Sequence, residues 1–130
     1  MSYTLKKSEI VRGRKAFQVI FERGRKIEGK ILRCIVLEDD SGTIRWQSKF
    51  MVGILISRVV KRAVDRNRMK RLIREAYRLN KYMLQTNSEK FSQRIALLFI
   101  YSPKVNVSLQ MPSFAEVEQD VKHILSTIFH

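Results

Sequence analysis

The chain has one cysteine, Cys34, among 130 residues, and it has few prolines and glycines. A single thiol excludes an internal disulfide and any zinc site built on cysteines. Cys34 lies in an apolar run, so we interpret it as a small core residue. No repeat or low-complexity segment is present, and a hydrophobic content of 45% indicates a globular protein rather than a disordered tail.

Long hydrophobic runs are also missing. The longest uninterrupted apolar run is "IALLFIY", Ile95–Tyr101, far shorter than the ~20 residues that span a bilayer. The first ten residues, "MSYTLKKSEI", lack the apolar stretch of a signal peptide. We therefore expect a cytoplasmic protein in which residues 1–130 form one domain.

Acidic residues are scarce. The chain has 12 Asp and Glu against 26 Lys and Arg, which gives a formal net charge of +14. Such a charge destabilises the compact state by self-repulsion and is typical of proteins that bind a polyanion. Nucleic acid is the first candidate partner, and an anionic membrane surface is the second.

Groups for hydrolytic catalysis are sparse as well. A metal-dependent nuclease needs clustered carboxylates, and the only such cluster, "EDDSG" at 38–42, is better explained as a turn. His123 and His130 have no metal-ligand spacing, and the chain has no glycine-rich phosphate loop. The sequence therefore favours binding over catalysis by the protein itself.

Hydrophobic periodicity predicts an alternation of helices and strands. A first helix ends near Gly24, and a last helix begins at Ser113, which forms a capping-box pattern with Glu116 ahead of a clean apolar stripe. Between them we predict strands in "KILRCIVLE", "TIRWQ", "KFMVGILIS" and "RIALLFIYS", and a basic helix from about Arg62 to Met83. This order predicts an α/β (α+β) two-layer sandwich, with a small mixed sheet and about three helices. The strands on either side of the basic helix can pair in parallel, with that helix as the crossover.

The basic helix has two distinct faces. Six apolar residues fall within about 120° of one another and predict a stripe that faces the core: Met69, Leu72, Ile73, Ala76, Leu79 and Met83. Every fourth residue from Arg62 is basic, and these side chains define the basic ridge: Arg62, Arg66, Lys70, Arg74 and Arg78. Arg68 and Arg71 flank the basic ridge, and Asn67 lies among them.

The basic ridge has a local energetic cost, because like charges at i,i+4 destabilise a helix. Residues 61–81 carry nine basic and two acidic side chains, half of the net charge of +14. We expect an external polyanion to offset this cost, and arginine suits bidentate contacts with phosphates. Asn67 is either a tolerated surface residue or a contact with that partner.

The basic helix bears on two of the candidate partners, a membrane surface and DNA. Its apolar stripe has no Trp or Phe, which argues against a module that lies on a membrane surface. No helix-turn-helix, basic-zipper or zinc-finger pattern is present to support DNA binding. Composition alone leaves DNA and RNA open.

One stretch carries a specific resemblance to a known family. "KRAVDRNRMKRLIREAYR", residues 61–78, resembles the signature helix of the bacterial ribonuclease P protein, with its "RNR", "KR" and "RE" groups in the same order and spacing. "AFQVIFERG", "VGILISRVV" and "RIALLFIYS" resemble the family's first helix and the strands before and after the signature helix. The alternative is a structural RNA-binding protein, such as a ribosomal protein of similar α/β build.

The resemblance implies an accessory role in an endoribonuclease. Ribonuclease P removes the 5′ leader of precursor tRNA, and its RNA subunit performs the cleavage with Mg2+. The protein subunit would have no catalytic residue and no cofactor of its own, and its partners would be ribonuclease P RNA and precursor tRNA rather than DNA or a membrane. The resemblance also implies an unusual left-handed βαβ crossover through the basic helix, whereas most such crossovers are right-handed. It assigns contact with the catalytic RNA to Arg62, Arg66, Asn67, Arg68, Lys70, Arg71, Arg74 and Arg78.

A cleft for the single-stranded leader, between the first helix and the sheet, is a further implication of the resemblance. Carried over by position, it assigns Phe17 and Phe21 to the leader, since aromatic rings stack on unpaired bases. Helical spacing alone is equally compatible with core packing for both rings. Arg14 and Lys15, which follow Arg12, either line the leader path or are solvated, and we favour the first.

The sequence departs from the family pattern at two further places. Ile35 occupies the strand position at which some relatives have a leader-contacting tyrosine. Lys61 and Arg62 replace a small Gly-Asn pair and add charge at the start of the basic helix.

Overall fold

The computed structural model describes residues 4–38, 44–104 and 111–128. Four strands and four helices follow one another in these residues, with short 3₁₀ turns at Lys7–Glu9 and Ser88–Lys90. In chain order they are α1 (Arg14–Arg23), β1 (Arg25–Glu28), β2 (Arg33–Glu38), β3 (Phe50–Ile56), α2 (Ala63–Asn80), α3 (Tyr82–Thr86), β4 (Ile95–Tyr101) and α4 (Phe114–Ile128).

The strands form one mixed sheet in the order β1-β2-β4-β3. β2 pairs antiparallel with both β1 and β4, and β3 pairs in parallel with β4, with Gly53 opposite Leu98. The predicted parallel pair on either side of the basic helix is therefore confirmed, and α2 lies within that crossover. The left-handed sense of the crossover stays a prediction.

Both faces of the sheet are covered by helices. In β4, Leu97 and Phe99 join the cluster that includes buried residues of α2 and α4, whereas Ala96 and Leu98 join the cluster under α1. The predicted α+β class, the mixed sheet and the number of main helices are confirmed. The predicted two layers are joined by a third, because α1 covers the face of the sheet opposite α2 and α4. All seven residues of β4 are buried, which requires cover on both faces.

The predicted and observed strands differ in two places. Residues 44–47 of the predicted strand "TIRWQ" form no strand, and its Thr43 lies outside the described residues, as does the predicted turn at 39–42. β1 was not predicted, because Ile27 is its one buried residue and the other three are exposed. An edge strand of this kind has no hydrophobic run for a sequence pattern to detect.

The basic helix ends three residues earlier than the predicted Met83, at Asn80. The Asn80 side-chain amide donates to the Ala76 carbonyl oxygen at 2.7 Å and to the Glu118 carboxylate at 3.0 Å. The next residue, Lys81, is buried, and its ammonium donates to Glu9 Oε1 at 2.7 Å and to the Thr4 carbonyl oxygen. These bonds attach the N-terminal segment to the end of α2.

Several local predictions are confirmed. Cys34 is fully buried, and burial raises the pKa of its thiol. In the predicted capping box, the Glu116 N–H donates to Ser113 Oγ at 3.2 Å and the Ser113 N–H donates to Glu116 Oε1 at 3.0 Å. Gly24 follows α1 with an ordinary φ of −77°, so glycine is favoured there because a Cβ atom would overlap the Ile35 side chain.

The turn between β1 and β2 is attached to α4 by one buried carboxylate. Asp120 accepts hydrogen bonds from the backbone N–H groups of Lys30, Ile31 and Leu32, at 2.8, 2.9 and 2.6 Å. A Cβ atom on Gly29 would overlap that carboxylate. The hairpin that contains the unpredicted strand is thus held to the last helix by polar bonds.

Candidate nucleic-acid interface

The amphipathic character of α2 agrees with its sequence pattern. Met69, Ile73 and Ala76 are fully buried, and they belong to the core cluster shared with α4 and the sheet. Three members of the basic ridge, Arg62, Lys70 and Arg74, are exposed, and Arg66 and Arg78 are partly buried. The flanking residues Asn67, Arg68 and Arg71 are exposed as well.

Arg66 has internal hydrogen bonds. One guanidinium nitrogen, Nη1, donates to the carbonyl oxygens of Val60 and Lys61 at 2.8 and 2.7 Å. Arg66 therefore stabilises the loop that leads into α2. Removing its side chain would disturb that loop as well as any contact with RNA.

Arg78 is also engaged within the helix. Its Nε and Nη2 atoms donate to the two carboxylate oxygens of Glu75 at 2.7 and 2.9 Å. The hydrogen bonds lower the pKa of Glu75 and raise the pKa of Arg78. In the described part of the chain, Lys70 and Arg74 form no ion pair with a carboxylate. Both can therefore bind a phosphate without first losing an ion pair within the protein.

The two aromatic side chains of α1 differ in their surroundings. Phe17 is partly buried and packs against the core cluster under α1, whereas Phe21 is 48% exposed. A Cβ atom on Gly53 of β3 would lie 2.7 Å from Cε1 and 3.1 Å from Cζ of Phe17. The absence of a side chain at Gly53 therefore lets the Phe17 ring lie directly on β3.

Phe17 and the basic ridge line the same cavity. This cavity has a volume of about 150 Å³, and its lining includes Phe17, Gly53 and Ile54 together with Lys70 and Arg74 of the basic ridge. The outer edge of β3 therefore brings together one aromatic ring and two cations, beside a position where glycine leaves space for the ring. We call this cavity, together with the exposed Phe21 one turn further along α1, the aromatic cleft.

The start of α1 carries the other predicted leader residues. Arg12, Arg14 and Lys15 are exposed, and Gly13 between them has a φ of +95°, which favours glycine. No acidic residue lies in the first turn of α1, although the positive end of the helix dipole favours one. Arg14 and Lys15 are one turn or less from Phe17, and the structure shows no contact between them and the aromatic cleft.

Ile35 is fully buried, packed against the C-terminal end of α1, so its side chain cannot reach a bound strand. The same face of the sheet is more open two residues further along each strand, where Leu55 pairs with Ile100 and Ile100 with Arg33. Leu55 is 44% exposed, and the Arg33 side chain is 44% exposed and bonded to Glu28. The sequence pattern did not indicate a role for Leu55 or Gly53, although their i,i+2 spacing places both on one face of β3.

The described residues offer neither a metal-ligand cluster nor a membrane-spanning helix. No group of three or more His, Cys, Asp and Glu side chains there is arranged to hold a metal ion. His123 is exposed, and His130 lies outside those residues. Within the same ranges, no helix has the length and apolar composition needed to cross a bilayer.

Comparisons with known proteins show relatives of this chain. The model of the family described as Ribonuclease P matches residues 5–128. The ribonuclease P protein component of Chlorobaculum tepidum is 30% identical over 131 residues, which covers 95% of this chain and 82% of the relative. That of Syntrophus aciditrophicus is 40% identical over 78 residues, or 60% of each chain.

Solved structures show the same fold. The RNase P protein of Thermotoga maritima superposes with a TM-score of 0.70 at 21% identity, covering 92% of this chain and 96% of that one. The Staphylococcus aureus RNase P protein has a TM-score of 0.68 at 20% identity, covering 94% and 96%. The match to the family model over nearly the whole chain, together with these relatives, shows that the protein belongs to the ribonuclease P protein family, the accessory protein component of that endoribonuclease.

Proposed function

We propose that this protein binds the catalytic RNA of ribonuclease P through the basic ridge and holds the 5′ leader of precursor tRNA in the aromatic cleft. The observation that carries the proposal is the shared cavity, in which Phe17 of α1 lies together with Lys70 and Arg74 of α2. A site for single-stranded RNA needs an aromatic surface for bases and cations for phosphates, and this cavity provides both.

The exposed side of α2 is suited to structured RNA. A-form RNA has a major groove too deep and narrow for side chains to enter, so a basic helix follows its backbone and shape. Lys70 and Arg74 form no ion pair with a described carboxylate, and Arg62 lies 3.7 Å from Asp65. We assign the remaining contacts with the catalytic RNA to Asn67, Arg68 and Arg71, and treat Arg66 and Arg78 as residues with an additional structural role.

Phe21 is the main stacking surface for the leader in this proposal, because about half of it is open to solvent. Phe17 would present its edge from a partly buried position, and Arg14 and Lys15 would meet phosphates near the start of α1. A leader held here would be absent from mature tRNA, so the protein would raise affinity for the precursor selectively. Cleavage itself would be performed by the RNA subunit with Mg2+, in the cytoplasm.

The test is binding of precursor and mature tRNA to the reconstituted holoenzyme. Stacking on one aromatic side chain is worth ~1–3 kcal/mol, so Phe21→Ala should weaken precursor binding by about 5- to 150-fold. Binding of mature tRNA should stay unchanged. Tyr82→Ala, a partly exposed aromatic residue of α3, serves as the matched control. Equal weakening of precursor and mature tRNA by Phe21→Ala would contradict the assignment of the leader to this cleft.

A further inference from the structure

We propose that the path of the leader continues beyond the aromatic cleft to a second site for single-stranded RNA at Trp46. There an unpaired base would stack on the indole ring, and neighbouring phosphates would meet Lys49 and Arg94. This inference rests on the proposed function and extends it to leader nucleotides further from the cleavage site.

The Trp46 pocket lies where the parallel strands β3 and β4 begin. It has a volume of about 420 Å³, and its lining includes Trp46, Gln47, Lys49, Gln93 and Arg94. The segments 44–49 and 92–94 that form it are joined by a hydrogen bond from the Ile95 N–H to the Lys49 carbonyl oxygen, at 2.7 Å. The pocket is therefore supported by the sheet rather than by a free loop.

Its charge favours a polyanion. Residues 44–49 and 92–94 contain Arg45, Lys49 and Arg94 and no acidic residue. The Lys49 ammonium is positioned by donating to the Ser88 carbonyl oxygen at 2.9 Å, and Arg94 is exposed. Neither cation forms an ion pair with a carboxylate of the described residues.

Trp46 has the properties of a stacking surface. One part of it packs against the core cluster under α1, and the remainder lines the pocket. Its indole N–H is buried without a hydrogen-bond partner in the described ranges. An apolar side chain would fill the same core space without leaving such a donor unpaired, so packing alone does not account for tryptophan here.

A continuous basic path joins the aromatic cleft to this pocket. The cavity at Phe17 shares Ile10 and Val11 with a depression of about 260 Å³, which also contains Arg12, Arg45 and Gln47. Gln47 in turn lines the Trp46 pocket. A strand that leaves the Phe17 ring would therefore pass Arg12 and Arg45 before it reaches Trp46. The start of α1 borders the same path, because Gly13 and Ala16 also line that depression.

The experiment uses Trp46 as its own reporter, since it is the only tryptophan in the chain. Reconstituted holoenzyme would be titrated with precursor tRNAs whose leaders have about 4 or about 15 nucleotides, a span like the ~4–16 that other single-strand sites hold. We expect the longer leader to quench Trp46 emission and to bind three- to tenfold more tightly. Arg94→Gln should remove both effects and leave affinity for the short leader unchanged. Lys122→Gln, an exposed lysine of α4, is the matched control for loss of one charge.

Five outcomes decide whether the Trp46 site exists. A gain from the longer leader that depends on Arg94 and not on Lys122 supports the Trp46 site. The site is refuted if lengthening the leader changes neither emission nor affinity, or if Arg94→Gln behaves like Lys122→Gln. Quenching of the free protein by inorganic phosphate to the same extent would show a small-anion site and overturn the proposal. If even the short-leader precursor binds no better than mature tRNA, the proposed function itself fails, whatever Trp46 does.

Discussion

At the scale of single residues, the two phenylalanines of α1 show what a sequence pattern can and cannot resolve. Their i,i+4 spacing predicts one helix face, and both side chains do lie on one side of α1. The pattern left open whether that face was core or binding surface. The structure separates them, because Phe17 is supported by Gly53 whereas Phe21 is 48% exposed. That distinction depends on a glycine 36 positions away in the chain, which no local pattern contains.

This difference predicts unequal effects on stability. Phe17→Ala should lower the free energy of unfolding by about 2–3 kcal/mol, below the range for a fully buried phenylalanine because the ring is only partly enclosed. Phe21→Ala should change it by less than about 1 kcal/mol. Chemical denaturation of the two variants would check both values. Equal losses would mean that Phe21 is part of the core and would weaken its assignment to the leader.

Cys34 illustrates a residue whose environment was predicted correctly. Burial raises the pKa of its thiol, so the thiol should stay protonated in the folded protein and react with alkylating reagents only on unfolding. Because the unfolded chain loses this proton more readily, the contribution of Cys34 to stability should fall as the pH rises past 9.0, the ordinary thiol value. Alkylation rates measured with and without denaturant test this. Rapid alkylation of the native protein would place the thiol at the surface.

At the scale of elements, α2 was the most predictable part of the molecule and β1 the least. The 3.6-residue period of α2 predicted both its buried stripe and its basic ridge. β1 has no such period, and it is held in place by pairing with β2 and by the bonds from the hairpin to Asp120 on α4. The end of α2 was also missed, because it depends on the contact of Asn80 with Glu118. Local periodicity does not predict elements whose bounds depend on contacts with residues distant in the sequence.

The hydrogen bonds of the basic ridge predict that its members contribute unequally to RNA binding. Arg74→Ala should weaken assembly with the catalytic RNA and reduce the salt dependence of binding by about one unit of slope, since one phosphate contact is lost. Arg78→Ala should have a smaller effect, because its guanidinium is already bonded to Glu75. Titrations of the RNA at several salt concentrations would measure both slopes.

The same titrations include their own control. Both variants remove one arginine from one helix, so a uniform loss of net charge would affect them equally. Identical slopes for Arg74→Ala and Arg78→Ala would show that α2 contributes only general charge. In that case the hydrogen bonds within the basic ridge would have no effect on RNA binding.

At the scale of the whole molecule, the net charge of +14 predicted a polyanionic partner, and the family comparison makes ribonuclease P RNA the natural one. The structure adds how the basic and aromatic elements are combined. α1 and α2 lie on opposite faces of the sheet, and they meet around the outer edge of β3, where Phe17, Lys70 and Arg74 line one cavity. No stretch of sequence contains that arrangement, since it results from β3 being the edge strand of the sheet.

In the function proposed above, the protein supports cleavage by holding the catalytic RNA and the leader together. The most direct test is single-turnover cleavage of a precursor tRNA at low Mg2+, with the catalytic RNA alone, the protein alone, and both together. We predict efficient cleavage only with both, and a reduced rate at subsaturating holoenzyme when Phe21→Ala replaces the wild-type protein. Cleavage by the protein alone, or no stimulation of the RNA by the protein, would contradict this accessory function.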